Sequence, residues 1–274
     1  MDIRELQIRY SKLPQAKALL SLLGNDSRQT VQLQGLTGSA APLFFSGVAS
    51  LMEVSRNQRA MVFIFNDADE AGYFYHDLTQ VMGSRRVLFF PSGYRRAAKY
   101  GQRDAANEIL RTEVITSLSA AEPVFVVTSP EAVAEKVVSK KNIDERRLTI
   151  AQGETHNLIA LEHTLVDYGF QQTDYVYEPG QFALRGSLLD VYSFSSEQPF
   201  RIDFFGDDVE TIRTFEVETQ LSVDKLQSVT IVPELSQLAD EKVSLFELLP
   251  PDSVLVARDW VFVRDRVAQI YDDE

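Results

Sequence analysis

Apolar positions in the first half of this chain come in short unbroken runs. Met61-Val62-Phe63-Ile64-Phe65, Val87-Leu88-Phe89-Phe90 and Val124-Phe125-Val126-Val127 are consecutive hydrophobic stretches with no polar residue inside them. A strand with one wet face needs a polar residue at every second position, so runs of this kind fit parallel strands covered on both sides. Each run leads into a helix signal. Asn66-Asp67-Ala68-Asp69-Glu70 opens one helix, residues 103–119 form the next, and Ser129-Pro130-Glu131 caps a third with Pro in its first turn. The alternation is βαβα, which predicts a doubly wound or helicase-type α/β sheet. Ahead of it, residues 15–23 read as a short helix closed by Gly24-Asn25-Asp26. Thr30-Val31-Gln32-Leu33-Gln34 reads as a strand, after which Phe44, Val48, Leu51 and Met52 recur at helical spacing.

The texture changes near Leu148. Helical pattern persists over residues 156–168, and residues 182–192, 200–205, 209–217 and 229–232 are strand-like, with hairpin punctuation at Gly206-Asp207-Asp208. This predicts a smaller α+β domain, mostly antiparallel. Ser253-Val254-Leu255-Val256-Ala257 reads as one more buried strand. If it returns to the first sheet, the small domain is an insertion. The expected organisation is a helicase-like core at residues 31–147, a small domain at 148–232, and segments 1–30 and 233–274 flanking the core.

Composition narrows the class. A chain of 274 residues, 45% of them apolar, is long enough for about two packed domains. No apolar run reaches the roughly 18 residues a membrane span needs, and the opening Met1-Asp2-Ile3-Arg4-Glu5 is no signal peptide. With no cysteine, disulfides, thiolate metal sites and cysteine nucleophiles are excluded. A soluble cytoplasmic protein is the simplest reading. The chain stops at Tyr271-Asp272-Asp273-Glu274, just after an amphipathic stretch, and is expected to be the front piece of something longer. The net charge of −13 is uneven, since residues 148–232 hold 4 basic against 14 acidic side chains. Neutralising phosphates takes Lys and Arg, so this half is a poor duplex binder and suits a basic partner better, or a protein interface with a few isolated Arg anchors.

The candidate chemistry starts at Gly35-Leu36-Thr37-Gly38-Ser39-Ala40-Ala41-Pro42, placed where a phosphate-binding loop should be. A working loop reads G-x-x-x-x-G-K-[S/T], with its Lys on the β- and γ-phosphates and its hydroxyl on Mg²⁺. Here Ala40 replaces the second Gly, Ala41 the Lys and Pro42 the hydroxyl, and Pro42 removes a backbone donor as well. Gly35 and Gly38 remain, so the segment reads either as an NTPase loop that has lost its chemistry or as an ordinary turn. Asp67, Asp69 and Glu70 are either a Walker B pair or, more simply, the cap of the next helix. His156 and His163 share a helix face but make no zinc site without cysteine. No metal site, cofactor or catalytic residue is expected. Tyr94-Arg95-Arg96-Ala97-Ala98-Lys99-Tyr100 interleaves aromatics with cations, either for single-stranded nucleic acid or as a solvated loop.

The most pointed constellation lies in the small domain. Strand period two puts Phe200, Ile202 and Phe204 on one face and Arg201, Asp203 and Phe205 on the other. Packing the apolar face inward leaves Phe205 exposed beside Arg201, with Arg185 turned outward before Gly186. Arg185, Arg201 and Arg213 are three of the four basic residues in the region. An exposed aromatic flanked by Arg has the composition of a protein-interface hot spot. The alternative is that the arginines pair with Asp190 or Asp203 on a solvated sheet.

Two segments carry a resemblance. Gln181-Phe182-Ala183-Leu184-Arg185-Gly186-Ser187-Leu188-Leu189-Asp190-Val191-Tyr192 and Pro199-Phe200-Arg201-Ile202-Asp203-Phe204-Phe205-Gly206-Asp207-Asp208-Val209-Glu210 resemble a signature shared by UvrB-type excision-repair helicases and bacterial transcription-repair coupling factors. The degenerate loop at Gly35, Gly38, Ala40, Ala41 and Pro42 resembles the coupling factors, because UvrB has an intact loop there. The resemblance implies a non-catalytic, helicase-like module split in sequence, with a small inserted domain that docks UvrA through Arg185, Arg201 and Phe205. It implies that RNA polymerase and DNA are engaged by other regions of a full-length ATP-dependent translocase, and that this surface stays covered until polymerase is engaged. UvrB's long DNA-gripping hairpin has no room here, since only residues 91–101 separate strand from helix. The alternative functions are a DNA-binding or nucleotide-binding helicase fragment of the UvrB type.

Overall fold

The computed structural model describes residues 2–24, 29–83, 87–93, 105–233, 235 and 242–273. These group into two compact units, one formed by Met1–Ser92, Ala120–Glu135 and Leu249–Glu274, the other by Gly93–Ser119 and Lys136–Leu248. Residues 25–26, the cluster Tyr94 to Tyr100 and Arg103 lie outside the described residues.

The first unit is an α/β structure. It contains helices α1 (Ile3–Ser11), α2 (Pro14–Leu23), α3 (Ala40–Val54), α4 (Ala68–Met82), α6 (Pro130–Ala134) and α9 (Trp260–Asp273), and strands β1 (Met61–Ile64), β2 (Val87–Phe90), β3 (Phe125–Thr128) and β14 (Val254–Ala257). The strands form one parallel sheet in the order β14-β1-β3-β2. All four residues of β1 and of β3 are buried, which is why those runs contain no polar interruption. Strand β14 does return to the first sheet, pairing Met61 with Val254 through to Ile64 with Ala257. On one face Phe63 meets Phe45 at 4.9 Å edge-on and Phe74 at 5.0 Å, while α2 adds Ala16 and Leu19 to the same core.

Two elements differ from expectation. Residues 30–34 form no strand, and Val31 is 41% exposed. Leu33 and Leu36 rest against the core, partly buried, and the segment has no ladder partner. Helix α1 has no counterpart in the sequence reading, because it is polar overall and none of its residues is fully buried. It is held by close backbone approach to α3. A Cβ placed on Gly47 of α3 would stand 2.8 Å from the Ser11 nitrogen and 2.9 Å from the Tyr10 carbonyl carbon.

The second unit contains α5 (Ala105–Ser119), β4 (Val137–Val138), α7 (Lys140–Glu145), β5 (Leu148–Ala151) and α8 (Leu158–Asp167). Then follow β6 (Gln171–Gln172), β7 (Gln181–Arg185), β8 (Leu188–Val191), β9 (Phe200–Phe205), β10 (Asp208–Phe215), β11 (Ser222–Leu226), β12 (Ser228–Ile231) and β13 (Lys242–Val243). A six-stranded sheet runs β11-β10-β9-β8-β7-β6, antiparallel except for β6 on β7, and β12 pairs separately with β5. Residues 182–192 are two strands rather than one. The chain turns at Gly186, whose φ of +62° is open to glycine without strain, so Arg185 faces Leu188 across a hairpin. The inner face of the large sheet supplies Phe182, Leu189, Val191, Phe200, Ile202 and Phe204 to one core, which Leu161 and Leu165 of α8 complete.

Candidate functional site

The face of the six-stranded sheet opposite that core carries Arg185, Arg201 and Phe205. Cross-strand register pairs Ala183 with Asp190, Asp190 with Arg201 and Arg201 with Arg213. Side chains directly opposite on neighbouring strands share a face, so this row is continuous. One end of the face is covered by a small cluster of Val176, Ala183 and Phe215. The other end carries Phe205, 80% exposed at the last position of β9 before the turn Gly206-Asp207.

Asp190 organises the charges. Its side chain is fully buried and receives both arginines. Arg201 donates from Nε to Asp190 Oδ1 at 2.7 Å and from Nη2 to Oδ2 at 2.9 Å, a bidentate pair of the strong kind. Its Nη1 reaches the Gln220 carbonyl at 2.9 Å, and its guanidinium lies 4.3 Å from the centre of the Phe215 ring. The Asp190 hydrogen bonds hold the Arg201 pKa above the ordinary arginine value. Gln220 presents that carbonyl from a left-handed conformation, φ +58°, locked by its own side chain donating to the Val217 carbonyl at 2.8 Å. The Arg201 side chain is therefore only 13% exposed, whereas Arg185 is 33% exposed. Arg185 donates to Asp190 and to the Asp174 carbonyl at 2.8 Å, and sits 4.9 Å from the Tyr175 ring centre. An open depression of about 600 Å³ lies beside it, lined by Gln172, Thr173, Asp174, Tyr175 and Leu184.

Of the pairings the sequence left open, Asp190 takes Arg185 and Arg201. Asp203 instead lies 3.7 Å from Arg213. Neither Gln220 nor the support under Phe205 was visible in the sequence. That support is the segment before α8. Gly153 N–H donates to the Val209 carbonyl, Val209 N–H to Glu154, and His156 N–H to Asp207, while Thr155 Oγ1 donates to Asp208 at 2.7 Å. These bonds fix the hairpin that carries Phe205. Glu154 is itself held by His156 Nε2 at 3.0 Å and by the Ala151 N–H, and these bonds keep its carboxyl below the ordinary value. Their contact partners lie some 50 positions away in sequence, which is why no local pattern revealed them.

The segment from Gly35 to Pro42 lies in the other unit. Gly35 and Gly38 have φ of +83° and +53°, left-handed values suited to glycine. Ala40 and Ala41 begin α3, and buried Pro42 follows in its first turn, where a missing N–H costs no helical bond. Backbone donors that a phosphate loop would aim at its ligand are turned inward here, Thr37 N–H onto Gly35 and Ala40 N–H onto Thr37. Ser39 Oγ donates to Asp77 Oδ2 at 3.1 Å, so a carboxylate stands at the mouth of α3. Asp67 is spent as the cap of α4, accepting from the N–H groups of Asp69 and Glu70 at 2.9 and 2.8 Å, and Glu70 receives Arg258 at 2.7 Å. Among the described residues no group of three metal-ligating side chains occurs, and no helix is long and apolar enough to cross a membrane.

Residues 148–236 match the profile of the UvrB interaction domain. The chain is 29% identical over 227 residues to the transcription-repair-coupling factor of Bacillus subtilis, covering 82% of this chain and 19% of that one. It is 30% identical over 213 residues to the factor of Myxococcus xanthus, covering 75% and 17%, and 26% identical over 196 residues to that of Haemophilus influenzae, covering 70% and 17%. The chain thus spans less than a fifth of the length of these relatives. It is a relative, over most of its length, of the transcription-repair-coupling factors, and it carries a UvrB interaction domain at residues 148–236.

Proposed function

We propose that this chain is a non-catalytic docking module that recruits UvrA and so links stalled transcription to excision repair. The match to the UvrB interaction domain and the kinship with coupling factors support the setting in DNA repair. The observation that carries the reading is Phe205, a phenylalanine 80% exposed on a braced hairpin, on the same sheet face as arginines held in place by a buried carboxylate. A large apolar side chain held rigidly in water on a face that carries cations is what a hot spot looks like before its partner arrives. UvrA fits as a surface with an apolar pocket for the ring and acceptors for the guanidinium donors of Arg185, which is a third exposed, while Arg201 holds the face in place. The small domain at 148–232 is the docking part, and the helicase-like remainder is its scaffold. In the longer relatives, RNA polymerase and DNA would be engaged by regions outside the matched segment.

Calorimetric titration with UvrA tests this. Phe205→Ala is expected to weaken binding by about 2 kcal/mol, some 30-fold, without moving the thermal unfolding midpoint, since the ring contributes little to the fold. Equal affinity for the variant would remove Phe205 from the interface. The non-catalytic half of the proposal makes its own forecast. With Ala41 in place of the loop Lys and Asp77 beside Ser39, Mg-ATP at millimolar concentration should leave the melting temperature unchanged. A ligand at 100 times its Kd would raise stability by about 2.7 kcal/mol, which a melting curve resolves easily.

A further inference from the structure

All four basic side chains of residues 148–232 stand on one face of one sheet, although the region carries 14 acidic ones. Register places Arg201 opposite Arg213, and Arg213 opposite Lys225 on the edge strand β11. Three like charges in adjacent cross-strand positions repel one another, a cost that counter-charges relieve. Asp190 supplies one for Arg201. The other two are barely served. Arg213 has Asp203 at 3.7 Å, too long for a hydrogen bond, and its Nε is buried with no acceptor. Lys225 is exposed, with no carboxylate among the described residues in ion-pair range.

Counting donors sharpens the point. A guanidinium has five N–H groups. Arg201 directs hydrogen bonds at both Asp190 oxygens and at the carbonyl and side-chain oxygens of Gln220, so it has almost nothing left to offer. Its role is to hold the face together. The cations with unused donors on this row are Arg213 and Lys225.

We infer that Arg213 and Lys225 form a ledge that accepts carboxylates of the protein partner that takes Phe205, while Arg201 is a positioning residue. This rests on the docking reading above and adds a geometry to it. Arg213 faces Arg201, four residues before Phe205 on β9, so the ledge lies about 13 Å along the strands from the ring, with Arg213 about 5 Å across and Lys225, one strand further, about 10 Å across. The partner therefore presents an apolar pocket and an acidic patch roughly 14 Å apart. An acidic protein segment fits better than nucleic acid. Asp207, Asp208 and Glu210 are exposed at the hairpin that carries Phe205, with Glu154 bracing it, and a phosphate backbone crossing from ledge to ring would meet them.

The test is titration of UvrA into wild type, Phe205→Ala, Arg213→Gln, and the double variant Arg213→Glu/Lys225→Glu, at low and moderate salt, with melting curves for each. Arg213→Gln removes the charge while keeping a polar side chain, which serves if the charge reversal disturbs the sheet. The double variant should bind at least about 10-fold more weakly, and its affinity should depend less on salt, at an unchanged melting temperature. Phe205→Ala should weaken binding without altering the salt dependence. If wild type does not bind UvrA, the docking reading falls and the ledge with it. If wild type binds and Phe205→Ala weakens it, but both ledge variants bind as wild type, the ledge alone is overturned. It is equally overturned if the double variant keeps UvrA affinity and instead loses affinity for a DNA oligonucleotide.

Discussion

Asp190→Ala should lower the stability of the six-stranded sheet by about 3 kcal/mol, the lower end of what breaking a buried ion pair costs. The carboxylate is fully buried, and its removal leaves the Arg201 guanidinium, 13% exposed, with its counter-charge gone. Arg185, a third exposed, can turn to water, which is why the lower end applies. Asp190→Asn should cost less, since an amide oxygen still accepts one of the three hydrogen bonds, but its NH₂ group faces arginine donors. Chemical denaturation, followed at Tyr175 or Tyr192, reads the loss. A change under about 1 kcal/mol would mean that the arginines find equivalent partners and that Asp190 does not organise the face. Because Asp190 is inaccessible to any partner, a parallel fall in UvrA affinity would report positioning, whereas Phe205→Ala affects binding alone.

Two glycines in the middle of helices should respond to alanine with opposite signs. Gly72 lies in α4, and a Cβ there meets nothing within 4 Å, so Gly72→Ala should stabilise by about 0.5–1 kcal/mol through helix propensity. Gly47 lies in α3, where the same Cβ would meet backbone atoms of Ser11 and Tyr10 at 2.8 and 2.9 Å. Those atoms belong to α1 and cannot rotate away as a side-chain tip would. Overpacking of this kind costs roughly 1–3 kcal/mol, which outweighs the propensity gain, so Gly47→Ala should be a net loss. Thermal melts of the two variants compared with wild type decide it. Stabilisation by both would show that α1 is free to lift from α3.

The parallel strands were legible because they are buried on both sides, which leaves runs such as Met61 to Ile64 with no polar residue. Helix α4 was legible from its cap, since Asp67 has to sit at the position where two unpaired N–H groups need an acceptor. The outward phase of Phe205 followed from strand period alone, once Phe200, Ile202 and Phe204 were assigned to the core. Residues 30–34 misled, because Val31 and Leu33 alternate like a strand while no neighbouring strand completes a ladder. Helix α1 escaped for the reverse reason, being held by backbone proximity at Gly47 rather than by an apolar stripe.

Local pattern, then, determined most of the strands and helices and which faces are apolar, because each of these is written in neighbours a few positions apart. What depended on the folded chain was how charge is shared. That Asp190 and not Asp203 holds the two arginines, that Gln220 closes over one of them, and that Arg213 and Lys225 stand in a row with little to neutralise them are facts of cross-strand register. Register brings together side chains 5 to 19 residues apart, and electrostatic energy depends on that distance in space, not along the sequence.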